Sequence, residues 1–549
     1  MSSIILFGQG RCLKRIFERE NNGFSFYEPE TLRAIRGGTV YVRNKFNESI
    51  ILIVDSDGDT LVYDRTGKLS PECLFGENDV IRGGKMNFTY IKTDNEKINT
   101  AYHLAVSDLY GNIKPYSDGI LNEEKLVIIA GMGYCTPWTR DAAINTYNAG
   151  ALLFPEIAKD TLLSVLEDSD GQLMIGGEYW DCVIWIWGAW SEYLLTGDKE
   201  FLKKAYEASV NTLKFFEATE FSEELNLFRG PACYGDGIAA YPDIYARPGE
   251  SAIIAFAKEC RDLTADKGVG IPLHALSTNC LYYKAYETAD FMAEELGLEK
   301  KFAEKAKKMK TAINKHFWTG SKYRYIVDNF GGCDYDEGMG NAFVIMFGIA
   351  DEEQTKMVLK NQHITAYGIP CVYPSFARYN GGYGRHSGTV WPHIQAFWAD
   401  AAVKNGRCDL FDKEFSMLTE CSVRDGYFSE IYHPDTGERY GGLQEFQKGG
   451  IIEWESEKKQ TWSATGYLHM LFSDIVGMDF KNGGIEFKPY LPQSITKLEV
   501  RNLCVQGCVF DINITGNGKN IKSFFVNGEK TINFVSYDVK KQSIEIAVE

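Results

Sequence analysis

From about residue 139 onward the chain alternates between two kinds of connection, and this alternation limits its fold more than any other feature. Helix-like segments are joined in turn by very short links and by long, elaborate ones. The short links are Phe154-Pro155, Thr196-Gly197-Asp198, Leu296-Gly297-Leu298, Ala350-Asp351 and Asn405-Gly406-Arg407. The long ones are Gly133–Arg140, Glu167–Asp181, Ala218–Leu276, Tyr323–Gly340, His363–His393 and Asp425–Thr461. A short link makes two helices antiparallel neighbours, so every second loop leaves the same end of the array. The long loops would then share one face, and function is expected there.

Apolar residues recur at helical spacing over 139–152, 155–167, 181–195, 199–218, 278–297, 299–317, 340–349, 351–360, 391–404, 410–421 and 461–475. This predicts eleven helices, with room for one more within 219–277. Asp198 is placed to cap one helix, and Thr278 with Asn279 to begin another. Residues 1 to about 120 read as strands instead, with short β-branched or aromatic runs at Val40-Tyr41-Val42, Ile50–Val54 and Thr60–Tyr63. The Asp55-Ser56-Asp57-Gly58-Asp59 turn resembles a calcium loop, but its twelfth position is Thr66 rather than Glu, so a hairpin turn is expected. Strands return from about 480, with Asn527-Gly528 as a hairpin dipeptide. The expected division is a β-rich N-terminal domain over 1–120, a helical domain over 121–478 and a small C-terminal β-sheet domain, or β-cap, over 479–549. Six antiparallel hairpins closing into a toroid would explain the loop alternation, and so would an open helical array.

The net charge of −17 opposes nucleic acid and anionic membrane surfaces, both of which need a cationic face. A small neutral carbohydrate fits that charge as a partner, and homo-oligomer formation is left open. No run approaches the roughly 20 apolar residues of a membrane span, and Met1–Gly10 does not read as a signal peptide. Thirteen cysteines, without CxxC spacing and several in apolar helical runs such as Cys182, Cys260 and Cys280, suggest reduced thiols in a cytoplasmic protein. Aromatic residues are frequent in the polar loops, and sugar rings stack their C–H faces on such side chains. His386 and His393 are separated by a Trp-Pro break without cysteine partners, so neither metal nor cofactor is expected.

Glycoside cleavage needs one carboxylic acid to protonate the leaving oxygen and one carboxylate to activate water or attack carbon. Two loop residues suit these roles. Glu430 lies among aromatics in Tyr427-Phe428-Ser429-Glu430-Ile431-Tyr432, with Tyr432 two residues on. Asp236 follows Tyr234 and sits between two glycines in the long third loop, where it would otherwise be a turn residue. Three clusters suit substrate binding: Trp138-Thr139-Arg140-Asp141, Tyr179-Trp180-Asp181, and Gly388-Thr389-Val390-Trp391-Pro392-His393. In them Arg140, Asp141 and Asp181 would hold hydroxyls, Trp138, Trp180 and Trp391 would stack, and His393 would touch substrate.

These motifs resemble those of the six-hairpin glycosidases, and most of all glycoside hydrolase family 63, over about residues 130–478. The family carries Glu-Asn-Tyr-Asp/Asn-Pro-x-Thr-Gly with the Glu as general base; here the string is Glu430-Ile431-Tyr432-His433-Pro434-Asp435-Thr436-Gly437, departing at Ile431 and His433. Trp-Thr-Arg-Asp is similar to a string that grips the terminal sugar in glucoamylase-type exo-enzymes. Gly-Thr-Val-Trp-Pro-His is similar to strings in inverting disaccharide phosphorylases and hydrolases. The resemblance implies a mainly α fold with an (α/α)6 toroid, and Asp236 as general acid by its position.

The expected activity is that of an inverting exo-acting glycoside hydrolase on a small α-linked oligosaccharide or glycoside, an α-glucoside first of all. Asp236, kept protonated by an enclosed site, would donate to the glycosidic oxygen while Glu430 deprotonates water. The alternatives are an inverting disaccharide phosphorylase and an α-rhamnosidase- or mannosidase-type specificity.

Overall fold

The computed structural model describes residues 89–246, 249–259, 268, 271–446 and 449–549, together with five strands among the first 63 residues. These strands, Ser3–Gly8, Arg11–Leu13, Thr39–Arg43, Ser49–Val54 and Thr60–Tyr63, form one antiparallel sheet, and three of them fall on the β-branched runs. The Asp55–Asp59 turn, Arg247 and Cys260 lie outside the described residues.

Apart from the short helix Ile254–Glu259, the described residues form twelve α-helical segments. They are α1 (Glu96–Gly111), α2 (Thr139–Asn145, continued by a wide π turn over Thr146–Gly150 and by Ala151–Leu153), α3 (Pro155–Leu163), α4 (Cys182–Thr196), α5 (Lys199–Thr219) and α6 (Leu276–Glu295). Then come α7 (Ala303–Phe317), α8 (Gly338–Met346), α9 (Glu352–Asn361), α10 (Pro392–Lys404), α11 (Cys408–Asp425) and α12 (Thr461–His469, continued by a π turn over Met470–Ile475). The even-numbered helices are apolar or small on nearly every side, and a helix of that kind must be surrounded by protein. They pack in sequence, α2 on α4, α4 on α6, α6 on α8, α8 on α10 and α10 on α12, with α12 returning to α2. Odd-numbered helices carry a single apolar stripe. In α5 it runs through Phe201, Leu202, Ala205, Ala208, Leu213 and Phe216, and it faces α4 and α6.

Eleven of these helices match the sequence expectation closely. The segment 219–277 holds the short helix Ile254–Glu259, as expected, and α1 is an additional helix in the region read as strand. Asn95 caps it by accepting from the backbone N–H groups of Lys97 and Ile98, and Ile98, Ala101, Tyr102, Ala105 and Leu109 form a buried stripe. That stripe seats α1 against α11 and α12. Asp198 caps α5 as expected. The second expected cap shifts: α6 begins at Leu276, and Asn279 spends its side chain on the backbone N–H (2.8 Å) and C=O (3.0 Å) of Phe228.

The long loops are joined to one another. Leu273–Ala275 of the third pairs with Ile326–Asp328 of the fourth, and Asp336–Glu337 pairs with Val372–Tyr373 of the fifth. Single bridges join Gly384 to Leu443 and Gln460 back to Gly131. One continuous rim of loops results, on the side where α2, α4, α10 and α12 begin.

The C-terminal strands form a six-stranded sheet. Within it Cys508–Gly516 and Lys541–Val548 run parallel, and Asn527-Gly528 closes a hairpin with both residues at positive φ (53° and 83°). Its edge strand is Tyr90–Thr93, paired with Lys497–Val505, so the segment just before α1 crosses into this sheet.

Candidate active site

The start of α2 builds the first wall of a cavity of about 180 Å³ that opens within the loop rim. Trp138 is non-helical and α2 begins directly after it, which places Arg140 and Asp141 in the first helical turn. Thr139 Oγ1 donates to the Gly176 carbonyl at 2.7 Å. Gly177 (φ 99°) lies so near Thr139 that a Cβ would meet Oγ1 at 2.4 Å, so only glycine fits there. The second loop thereby delivers Glu178 to the cavity and Asp181 to the start of α4. Asp181 makes no capping bond; it accepts from Arg140 Nη1 at 3.3 Å instead.

Arg140 is the hub. Nη1 also donates to the Cys233 carbonyl at 2.8 Å, which ties down the third loop, and Nη2 faces Asp236 Oδ1 at 3.5 Å. Asp236 opens into the cavity, its side chain 51% exposed. His386 Nε2 lies 3.7 Å from the same oxygen. A Cβ on Gly237 would sit 2.8 Å from the His386 ring, so the glycine after Asp236 allows that approach.

Glu430 lines the same cavity and is buried. Its loop is fixed by Phe428 N–H to Asp108 (2.7 Å), Ser429 N–H to the Tyr432 hydroxyl (3.0 Å) and Ile431 N–H to Ser456 Oγ (2.9 Å). Its carboxylate accepts from Arg385 Nη2 (2.9 Å), the Tyr134 hydroxyl (3.0 Å) and the Glu457 N–H (3.2 Å).

Five carboxyl groups line the cavity, Asp141, Glu178, Asp181, Asp236 and Glu430, against the two guanidiniums of Arg140 and Arg385. So many like charges cannot all ionise in one enclosed space. Burial pushes Asp141 up to about 7, against the pull of Arg140 and with the repulsion of Glu430 and Asp236. Burial, then the neighbouring Asp236 charge, pushes Glu178 up to about 7. Burial also holds Asp181 well above the carboxylate range despite Arg140. For Asp236, burial is outweighed by Arg140, His386 and Arg385, and its carboxyl is held below the usual range. Burial drives His386 itself down to about 3, so near neutral pH that ring is uncharged and the arginines carry the effect. Asp236 is therefore ionised near neutral pH in the free site, contrary to the protonated acid expected from its enclosure, while Asp141, Glu178 and Asp181 beside it are the carboxyls whose protons are held more tightly.

Of the residues singled out in the sequence, Trp138, Arg140, Asp141, Asp181, Asp236, Trp391 and Glu430 line this cavity. Trp180, Tyr234, His393 and Tyr432 do not; each is packed behind the wall. Trp180 meets Tyr179 edge to face, and the Tyr234 hydroxyl donates to the Cys371 carbonyl at 3.3 Å. His393 stacks on Trp462 at 4.3 Å, and Tyr432 holds the loop of Glu430. The sequence reading did not assign Tyr134, Glu178, Arg385, His386, Gln460 and Trp462 to the site, although they line it. Glu178 directly precedes the Tyr179-Trp180-Asp181 string, and Arg385-His386 lie shortly before the Trp391 string.

A rim of joined loops surrounds a crowded carboxylate pocket set on paired helices, and the family match identifies the domain as that of a glycoside hydrolase. Residues 182–463 match the mannosylglycerate hydrolase MGH1-like glycoside hydrolase domain, and the chain belongs to that family. Residues 478–540 match the C-terminal domain of glycosyl hydrolase family 65. The resemblance to family 63 read from the motifs therefore holds. Comparison with curated protein sequences gives no match. Among solved structures, a sialidase is similar at 12% identity and a TM-score of 0.58 over 99% of this chain, and the chain spans 58% of that protein's length. The family 63 mannosylglycerate hydrolase from Thermus thermophilus is similar in its complex with glucose (15% identity, 67% of this chain and 98% of that one, TM-score 0.50). The same enzyme with Tris and D-glycerate gives 14% identity, 68% and 100% coverage and a TM-score of 0.50. At these identities the likeness is one of fold.

Proposed function

We propose that the chain is an inverting exo-acting glycosidase that releases one neutral sugar, a glucosyl residue first of all, from a small α-linked glycoside. The observation that carries this reading is the pairing of charges: Arg140 faces Asp236, Arg385 holds Glu430, and the other three carboxyls have raised pKa values. The pocket is then close to neutral, which suits an uncharged pyranose. Its volume of about 180 Å³ is below the roughly 300 Å³ at which ordinary ligand clefts begin, and suits one ring. Trp138, 54% exposed at the rim, offers a stacking face for the leaving group.

In this reading the even-numbered helices form the inner wall of an (α/α)6 toroid and the odd-numbered ones its outer wall. Glu430 takes a proton from water as the water attacks the anomeric carbon. The glycosidic oxygen leaves with a proton from Asp236, which takes it up from a protonated carboxyl of the same cavity, Glu178 first of all. Protonated Asp141 and Asp181 donate to sugar hydroxyls. Trp180, Tyr234, His393 and Tyr432 act by holding these groups in place. Phosphorolysis is disfavoured because both lining guanidiniums are engaged and an entering phosphate would meet the Asp236 carboxylate. Among the described residues no helix is long and apolar enough to cross a membrane, and ten cysteines are free thiols; the latter supports a reducing, cytoplasmic setting. A panel of α- and β-linked disaccharides, each incubated with and without phosphate, tests the assignment. Phosphate-independent release from an α-glucoside supports it; strict dependence on phosphate, or cleavage of β-linked substrates only, refutes it.

A further inference from the structure

The helices that open onto the loop rim end at a second, larger cavity of about 900 Å³, next to the C-terminal strands. Trp462 of the first cavity and Asp474 of the second are twelve residues apart on α12 and its π turn, about 18 Å at 1.5 Å per residue. Nothing in the proposed glycosidase mechanism uses this end of the protein.

Three side chains meet there, Asp400 from α10, His469 from the last turn of α12 and Asp474 from its π turn. Each offers one ligand atom, and the three atoms lie within 4.8 Å of one another. All three residues are at most 2% exposed. Asp400 is paired with the Lys404 ammonium. Beyond the cluster itself, neither oxygen of Asp474 and neither ring nitrogen of His469 has a hydrogen-bond partner; within it, Asp474 lies against the Asp400 carboxyl and His469 Nε2 lies 3.5 Å from Asp400 Oδ1. Buried carboxylates and imidazoles are ordinarily satisfied, because leaving such a group bare costs several kcal/mol. A second observation points the same way. Both π turns of the protein's inner helices border this cavity: Thr146–Gly150 supplies Asn148, whose side-chain oxygen and nitrogen are also bare, and Met470–Ile475 supplies Asp474. Such bulges concentrate at functional sites because they re-aim side chains out of the helical register.

We propose that Asp400, His469 and Asp474 form a binding site for a divalent transition-metal ion, Zn²⁺ by its donor set. Two carboxylate oxygens and one imidazole nitrogen are the N/O ligands that Zn²⁺ accepts, and three protein ligands leave a coordination position toward the cavity. Lys404 already balances one of the two carboxylates, so the cation completes the charge of the other.

The test uses the full chain with ZnCl2, desalted and analysed for bound metal, with thermal melts before and after EDTA. The expected result is about one Zn²⁺ per chain and a melting temperature that falls on chelation, with both effects lost in His469→Gln and in Asp474→Asn. Exposed Cys135 and Cys504 would also capture zinc, so the variants distinguish the sites; if one misfolds by circular dichroism, the other decides. Absence of bound zinc in the wild type, as when Asp400 and Asp474 simply share a proton, overturns the proposal. Equal binding by wild type and the folded variants overturns it too.

Discussion

Arg385 donates from Nη2 to Glu430 Oε1 at 2.9 Å, with both side chains buried beside the sugar-sized cavity. The pair fixes the proposed base in place at the cavity wall. Removing one partner of a buried pair is far more costly than removing a surface pair, because the other charge is left without water or counter-ion. Arg385→Met should therefore lower stability by about 3–5 kcal/mol in urea denaturation. Glu430→Gln should cost much less, since the amide oxygen still accepts, and Arg385 keeps the Gly441 and Glu455 carbonyls.

The two proposed proton-transfer groups should separate cleanly from stability. General acid and base residues contribute about 10²–10⁴-fold each. Asp236→Asn and Glu430→Gln should lose turnover by that factor, with circular dichroism unchanged. Full activity in either variant would remove that residue from its role.

Burial and then the Asp236 charge push Glu178 up to about 7, which makes it the proposed source of the proton that Asp236 passes on. As pH rises through 7, Glu178 ionises and adds a charge beside Asp236, so kcat/KM should fall on the alkaline side. Glu178→Gln cannot lose a proton there. Its pH profile should no longer bend near 7, and its turnover should drop because the amide cannot pass a proton on; an unchanged bend would assign it to another group.

Asp141 binds its proton more tightly folded than unfolded, since burial raises its pKa from 3.8 to about 7. A group raised in this way weakens the folded state as pH climbs from about 4 through 7. Asp141→Asn, which removes that ionisation, should melt above wild type by a margin that grows from pH 5 to pH 8. Its activity should fall, because the side chain that is costly to stability faces the sugar.

The shared face of the long loops and eleven helices were legible because apolar period and link length are local signals. The α1 helix carried the same signals, with Asn95 as its cap, but lay beside strands and so read as more of the same. Asp236, Glu430 and Arg140 stood out through their motifs. Glu178, Gln460 and Tyr134 did not, since a single polar residue in a loop has no period, and only the joining of the loops brings them together. The charge state of Asp236 was beyond sequence reasoning altogether. Enclosure argues for a protonated acid, and the arginines, Arg140 first at 3.5 Å and then Arg385, reverse the sign.

The central claim is that Asp236 and Glu430 act from opposite sides of one sugar ring. Time-resolved proton NMR of the sugar first released from an α-linked glucoside tests it most directly. The account predicts the β-anomer at the earliest time points, followed by mutarotation, with the signal absent in Glu430→Gln. Early appearance of the α-anomer, which requires a retaining mechanism, would contradict it.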